Sequence, residues 1–381
     1  MKSVQMQGCR HRSGNGRSST PVGFLVPRSR LTDILRCIVP SAEILPTHTP
    51  ALFQEAVLKT SALLRSGAVA AVPSETVYGL AANAFSPEAV AGIYNAKGRP
   101  STNPLIVHVA TAAMARECAA HWPGLAEKLA RRFWPGPLTL VVPKSSRIPS
   151  LVAAGGQTVG LRWPSHAFFQ SVIRECGFPL AAPSANPSDQ LSPTTAEHVI
   201  AGLGDRIPLI IDAGPCAVGI ESTVVDVTGD RPRILRPGII SAEQIAEAAG
   251  VPVESPEAAS PGPLRSPGQL SRHYSPKARL EVWSWNSDAE LRDRVLLQGV
   301  PPERFCLLTH SRIPREPIPA QVSFIPDDPE AFARALYGYL HQCDDRGAAL
   351  VVIEALPLEP AWDGIRDRLL RASAPAPHRR A

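Results

Sequence analysis

The chain has 381 residues, 44% of them hydrophobic, which is room for two domains with cores of their own. No run approaches the roughly 18 apolar residues that cross a bilayer, and this excludes a membrane-spanning helix. The net charge of +5 is not a nucleic-acid footprint, because residues 1–32 hold six basic residues (Lys2, Arg10, Arg12, Arg17, Arg28, Arg30) and no acid, while the remaining 33 basic residues face 34 acidic ones.

In chain order, the basic head, residues 1–44, is rich in Ser, Gly and Arg and has no apolar segment of signal-peptide type. A disordered extension, a start placed too far upstream and a transit peptide all fit it. From Pro50 the pattern becomes regular. Ala51–Arg65 reads as an amphipathic helix ending at Gly67, and Ala68–Val72 as a buried strand. Ser86-Pro87-Glu88 has an N-cap, a first-turn proline and an early carboxylate, and starts a helix that runs to about Ala96. Strands are expected at Leu105–Val109, Leu138–Val142, Thr158–Trp163, Leu180–Ala182, Leu209–Ile211, Thr223–Val227 and Arg233–Leu235. Helices are expected at Thr111–His121, Gly124–Phe133, His166–Cys176, Thr194–Ala201 and Ala242–Ala249. The mixture lacks strict alternation, so the expectation is a twisted mixed α/β sheet packed by helices over residues 45–250.

Residues 251–277 are proline-rich with almost no aliphatic periodicity, and read as a semi-rigid linker. Beyond it, strands at Leu280–Trp285, Phe305–Thr309, Val322–Ile325 and Ala349–Ile353 are separated mostly by helices near Ala289–Gln298, Pro329–Gln342 and Ala361–Arg371. That is a small α/β domain over 278–372, followed by a frayed tail, 373–381. The seven cysteines stand singly without a CxxC pair, so neither a disulfide framework nor a zinc site is expected, and a reducing compartment, the cytoplasm, fits.

Four clusters carry possible chemistry, although the chain has neither a Walker-type P-loop nor a strand-GxGxxG-helix unit. The first spans Pro73–Val109 and places Ser and Thr hydroxyls near Lys97, Arg99 and Asn103. Lys97 and Arg99 could neutralise phosphate oxygens, or could be a solvated helix end that compensates the macrodipole. In the second, a strand ending in Ala182-Pro183-Ser184-Ala185-Asn186 is followed by Ser192, read as a helix cap. The third is Gly219-Ile220-Glu221-Ser222-Thr223 with Arg236-Pro237-Gly238. In the fourth, Thr158 and Arg162 share one face of a strand. Glu75 and Glu221 read as network members rather than general bases.

Taken together, PSETVYGL, KGRPSTNPLIVH, WPGPLTLV, AAPSAN…SPT, GIESTVVDV and RILRPG follow one another over about 170 residues and resemble the threonylcarbamoyl-AMP synthase family. The linker segment SPGQLSRHYSP and the extra domain resemble its long, two-domain form. The resemblance implies a YrdC-like twisted mixed sheet with packed helices plus a smaller C-terminal, Rossmann-like α/β domain. It implies that L-threonine, bicarbonate or CO2, and ATP are joined to L-threonylcarbamoyladenylate and pyrophosphate. Downstream threonylcarbamoyl-transfer proteins would carry the group to adenosine 37 of tRNAs that read ANN codons.

Carried over, Thr76, His108, Arg162, Ala182 and Ser222 would hold L-threonine. Lys97, Arg99, Asn103, Thr158, Ser184, Asn186, Ser192, Arg236 and the linker residue Tyr274 would surround ATP, with Lys97 and Arg99 as the catalytic cations. Mg2+ would be bound mainly through the ATP phosphates, with no protein metal ligands expected. Ser74 stands where many members carry Thr, and Pro187-Ser188-Asp189-Gln190 is an atypical loop. The alternative is a non-catalytic RNA-binding YrdC-like module, against which the near-neutral body counts. Direct tRNA contact is left open. Carbamoyl transfer of the hydrogenase-maturation type would need acylphosphatase and zinc-finger-like regions, which this sequence lacks.

Overall fold

The computed structural model describes residues 42–254, 266–267 and 273–374. The head up to residue 41, most of the expected linker and the tail from 375 lie outside the described residues. Ten strands, β1 (Glu43–Pro46), β2 (Ala70–Val72), β3 (Gly79–Asn83), β4 (Ile106–His108), β5 (Leu138–Pro143), β6 (Thr158–Arg162), β7 (Leu180–Ala181), β8 (Leu209–Asp212), β9 (Thr223–Asp226) and β10 (Arg233–Arg236), form one mixed sheet. Their order is β1-β8-β2-β3-β7-β4-β6-β5-β9-β10.

Both faces of this sheet are covered, and side-chain alternation sorts residues between two cores. On β2, Ala71 enters one core while Ala70 and Val72 enter the other. One face is covered by α1 (Pro50–Arg65) and α5 (Ala167–Cys176), through Val57, Leu64, Phe168 and Val172. The opposite face receives α2 (Pro87–Lys97), α3 (Ala112–Cys118), α4 (Gly124–Phe133), α6 (Ala196–Leu203) and α7 (Ala242–Ala249). The sequence signals for these helices act locally. Thr49 accepts from Leu52 N ahead of Pro50, Ser86 accepts from Ala89 N ahead of Pro87, and Ser241 and Gln244 close a capping box on α7.

The second sheet, β11 (Arg279–Trp283), β12 (Phe305–Thr309), β13 (Gln321–Phe324) and β14 (Leu350–Glu354), runs in the order β11-β14-β12-β13 and is parallel throughout. With α8 (Asp288–Leu297), α9 (Pro329–Asp345) and α10 (Asp363–Ala372) it forms the expected smaller α/β unit. The core beneath α9 and α10 is shared with the large sheet's side. Val77, Leu191, Ile220 and Tyr274 pack with Phe332, Leu336, Tyr337, Ile365 and Leu369.

Two strands escaped the sequence pattern. β1 is a short edge strand that includes Pro46, and β3 reads Gly-Leu-Ala-Ala-Asn without a β-branched residue. β3 takes small residues because the chain passes close by: a Cβ on Gly79 would stand 3.3 Å from that of Ala182. Ser192 does not cap a helix. That role falls to Thr195, which accepts from His198 N, because Ser192 instead donates to Glu221 Oε1 at 2.5 Å.

Candidate active site

The site is built at the ends of β4 and β6, where the parallel register sets His108 beside Arg162. The preceding turn brings Thr76 to them. Ser74 Oγ accepts from the backbone N–H groups of Thr76 and Val77 (3.2 Å each) and donates to Val77 O (2.5 Å), a hydroxyl-closed turn. Arg162 Nη1 then donates to Thr76 Oγ1 (2.9 Å), and Nη2 pairs with Glu75 Oε1 (2.8 Å), which also accepts from Ser165 N. Burial alone would raise the Glu75 carboxyl, but the Arg162 charge and the hydrogen bonds from Arg162 and Ser165 N together outweigh it and the net shift is downward. His108 stacks on Phe169 with centroids 4.9 Å apart. Burial and the Arg162 charge push its imidazole down to about 3, so it is neutral at ordinary pH. Two polar atoms here, His108 Nδ1 and Glu75 Oε2, are buried without a partner.

The opposite end is cationic. Arg236 binds Ser222 O through Nε (3.1 Å) and Nη2 (3.0 Å), and Ser222 Oγ at 3.1 Å. Thr139 Oγ1 holds the same hydroxyl at 2.8 Å. Tyr274, only 1% exposed, puts its hydroxyl 3.5 Å from Arg236 Nη1 and adopts the left-handed φ of 61° that a tyrosine tolerates only under tight constraint. Arg99 is braced on the carbonyls of Asn103 (3.1 Å) and Pro104 (2.9 Å), and burial lowers its guanidinium to about 10. Lys97 is the last residue of α2, before Gly98 in the left-handed conformation. It is 2% exposed and Arg99 8%, so neither is a solvated helix end. Lys97 Nζ donates to Ser184 O (2.6 Å), Asn186 O and Asn186 Oδ1 (3.3 Å). Burial pushes this amine down, while three carbonyl acceptors match the three donors of an ammonium.

Between the two ends lies a cavity of about 50 Å3. Of the residues singled out in the sequence, Thr76, His108, Arg162, Ala182 and Ser222 line it, together with Arg99, Ser184, Arg236 and Tyr274. Lys97, Asn103, Thr158, Asn186 and Ser192 do not line it. Asn186 Nδ2 is spent on Pro187 O and Gln190 O, and Thr158 pairs with Pro143 at the far end of β6. Glu221, Pro267 and His273 were not singled out as ligand contacts, yet they also line the cavity. The signal for the last two was available, since both lie in the same segment as Tyr274. That volume is room for a few waters, with Pro267, His273 and Tyr274 of the linker forming part of the wall.

Fold and cavity define a YrdC-like α/β domain whose cleft sets Arg162 at one end and Arg99 and Arg236 at the other, with a smaller Rossmann-like domain beside it. Residues 62–238 match the family model described as "Telomere recombination", and residues 240–374 match that of the "Threonylcarbamoyl-AMP synthase, C-terminal domain". The threonylcarbamoyl-AMP synthase of Bacillus subtilis is 45% identical over 250 residues, covering 65% of this chain and 70% of its own length. That of Pyrococcus abyssi is 36% identical over 315 residues, covering 81% of this chain and 92% of its own. The crystal structure of P. abyssi Sua5 complexed with L-threonine superposes with a TM-score of 0.77 at 33% identity, over 87% of this chain and 98% of that one. The chain belongs to the threonylcarbamoyl-AMP synthase family.

Proposed function

We propose that this protein makes L-threonylcarbamoyladenylate and pyrophosphate from L-threonine, bicarbonate or CO2, and ATP. The observation that carries the reading is the single cavity in which Thr76, His108, Arg162, Ala182 and Ser222 meet Arg99, Ser184, Arg236 and Tyr274. Arg162 is the planar fork for the threonine carboxylate, and Thr76, His108 and Ser222 orient the rest of the amino acid. The threonine amine adds to the carbon of CO2 and loses a proton. The resulting carbamate oxygen attacks the α-phosphorus of ATP, and the bond to the leaving pyrophosphate breaks. Charge grows on phosphoryl oxygens, which Arg99 and Arg236 face, while Lys97 fixes the Ser184–Asn186 loop behind them. No protein nucleophile is needed.

Mg2+ fits here as a passenger on the phosphates. Among the described residues no cluster of three or more His, Cys, Asp or Glu could cage an ion, and Glu75 and Glu221 are each paired with an arginine. Bound that way, the ion would neutralise phosphate charge.

We assign catalysis to residues 45–250 and closure over ATP to the linker, 251–277, with residues 278–372 as the supporting domain. Transfer to tRNA falls to downstream proteins in the cytoplasm. No described helix is long and apolar enough to cross a membrane. The test is pyrophosphate release from ATP, Mg2+ and bicarbonate, with and without L-threonine, for wild type and Arg162→Ala. Threonine-dependent release that the substitution abolishes is expected. Release indifferent to threonine overturns the reading and directs attention to RNA binding.

A further inference from the structure

Arg368 on α10 is a fully buried arginine at 1% exposure, and it comes from the small domain. Its Nε donates to Glu221 Oε2 (2.7 Å) and its Nη2 to Glu221 O (3.1 Å). Nη1 reaches Pro237 O (2.8 Å), Gly364 O (3.3 Å) and Asp367 Oδ2 (2.9 Å). The guanidinium lies 5.3 Å from the Tyr274 ring centroid. Its two large-domain partners flank the site in sequence: Glu221 precedes Ser222 and Pro237 follows Arg236. Glu221 is further held by Ser192 and, from α9, by Tyr337 OH at 3.2 Å. Arg368 itself does not line the cavity.

The domains touch backbone to backbone at this point. A Cβ on Gly364 would stand 2.7 Å from Gly238 O, so α10 has no slack to slide. The threonine end has separate braces in the large domain, namely Glu75 on Arg162 and Thr139 on Ser222. At the nucleotide end Arg236 is braced on Ser222 of the large domain, whereas the Tyr274 ring packs against His273, against Tyr337 of α9 and against Arg368 of α10.

We propose that Arg368 is a positioning residue for the nucleotide end of the site, holding Glu221, Pro237 and Tyr274 so that Tyr274 and the neighbouring Arg236 are set in place for ATP. The inference deepens the synthase reading and rests on it. A docked small domain is then part of the enzyme's ATP affinity without touching ATP.

The test compares the full-length protein with Arg368→Gln, Arg368→Lys and, as a control at another interdomain bond, Arg334→Ala, whose Nε reaches Ala217 O at 2.8 Å. Calorimetric Kd values for L-threonine and for ATP are measured beside pyrophosphate release and thermal melting. Arg368→Gln should weaken ATP and lower kcat/KM for ATP by about 100-fold, the scale of an ångström-level misplacement, and raise the threonine Kd far less, since threonine feels the change only through Ser222. Arg368→Lys should recover only part, because one ammonium cannot span Glu221 and Pro237, and it carries the comparison if Arg368→Gln fails to fold. Arg334→Ala should behave as wild type. Unchanged ATP Kd and turnover in folded Arg368→Gln would sink the proposal, as would equal losses for threonine and ATP that track a fall in Tm. A wild type that binds ATP but never releases pyrophosphate strikes the synthase reading instead, and leaves the ATP Kd comparison to judge Arg368.

Discussion

At the scale of single residues, Arg162, proposed above to hold the threonine carboxylate, already has its Nη1 engaged by Thr76 and its Nη2 by Glu75. Those two contacts fix the plane of the fork before any ligand arrives, which is what a substrate-positioning group needs. Lysine offers a point charge without that plane. Arg162→Lys should therefore raise the threonine Kd by roughly 10- to 100-fold, about 1.4–2.8 kcal/mol, measured by titration calorimetry. An unchanged Kd would remove Arg162 from the threonine subsite. Arg162→Met should be worse in a second way, since it leaves Glu75 buried and unpaired at a cost of about 3–5 kcal/mol in stability. The pairing of Arg162 with Thr76 is legible as types of residue in the sequence, but not as a contact. The two are 86 positions apart, and only the sheet register brings them together.

At the scale of elements, α2 ends at Lys97 because Gly98 turns left-handed at φ 61°, with its N–H returning to Tyr94 O and Asn95 O. That single turn sends Lys97 and Arg99 to different partners two residues apart. A Cβ on Gly98 would meet nothing within 4 Å, so substitution there costs backbone conformation and not space. Gly98→Ala should lower stability by about 1 kcal/mol, or roughly 2–4 °C in Tm, with activity retained below the transition. A rise in Tm would contradict the assigned φ. Helices with caps and prolines were legible to within a residue or two, as at Gly124–Phe133 and Ala242–Ala249. β3 was not, because its small buried residues answer to the approach of the Ala182 segment rather than to strand propensity.

At the scale of the whole molecule, the shared core beneath α9 and α10 joins the two domains beside the cavity. A chain ending before Ser266 keeps both cores of the large sheet, loses Tyr274 and Arg368, and should fold yet release pyrophosphate at a much reduced rate. Undiminished release would refute the proposed closure over ATP by the linker. Acid should loosen the same assembly. Burial and the charge of Arg162 hold His108 at about 3, burial holds His273 at about 3, and burial with the facing His341 holds His198 at about 4. Each binds fewer protons folded than unfolded, so its contribution is complete above the ordinary 6.5 and drains as pH falls toward 4 and 3. Burial raises Glu221, but Arg368 and Arg236 bring it to about 2, so its share is present above 4.5 and is lost between there and 2. Denaturation midpoints measured from pH 7 to pH 3 should fall monotonically, and a flat profile would contradict the burial of these histidines.

The sequence by itself determined the mixed sheet and the small α/β domain, because caps, prolines and alternation act over a few residues, and its ordered motifs carried the resemblance to the family. It also named the cations and hydroxyls of the site. Only the tertiary structure decided which of them face the cavity and which do not, since that depends on strand register and on loops meeting from opposite ends of the chain. Lys97 became a brace and Ser192 a partner of Glu221 for that reason. Arg368 had no local signature at all: an arginine on a polar helix becomes a structural centre only when another domain's carboxylate is brought to 2.7 Å from it.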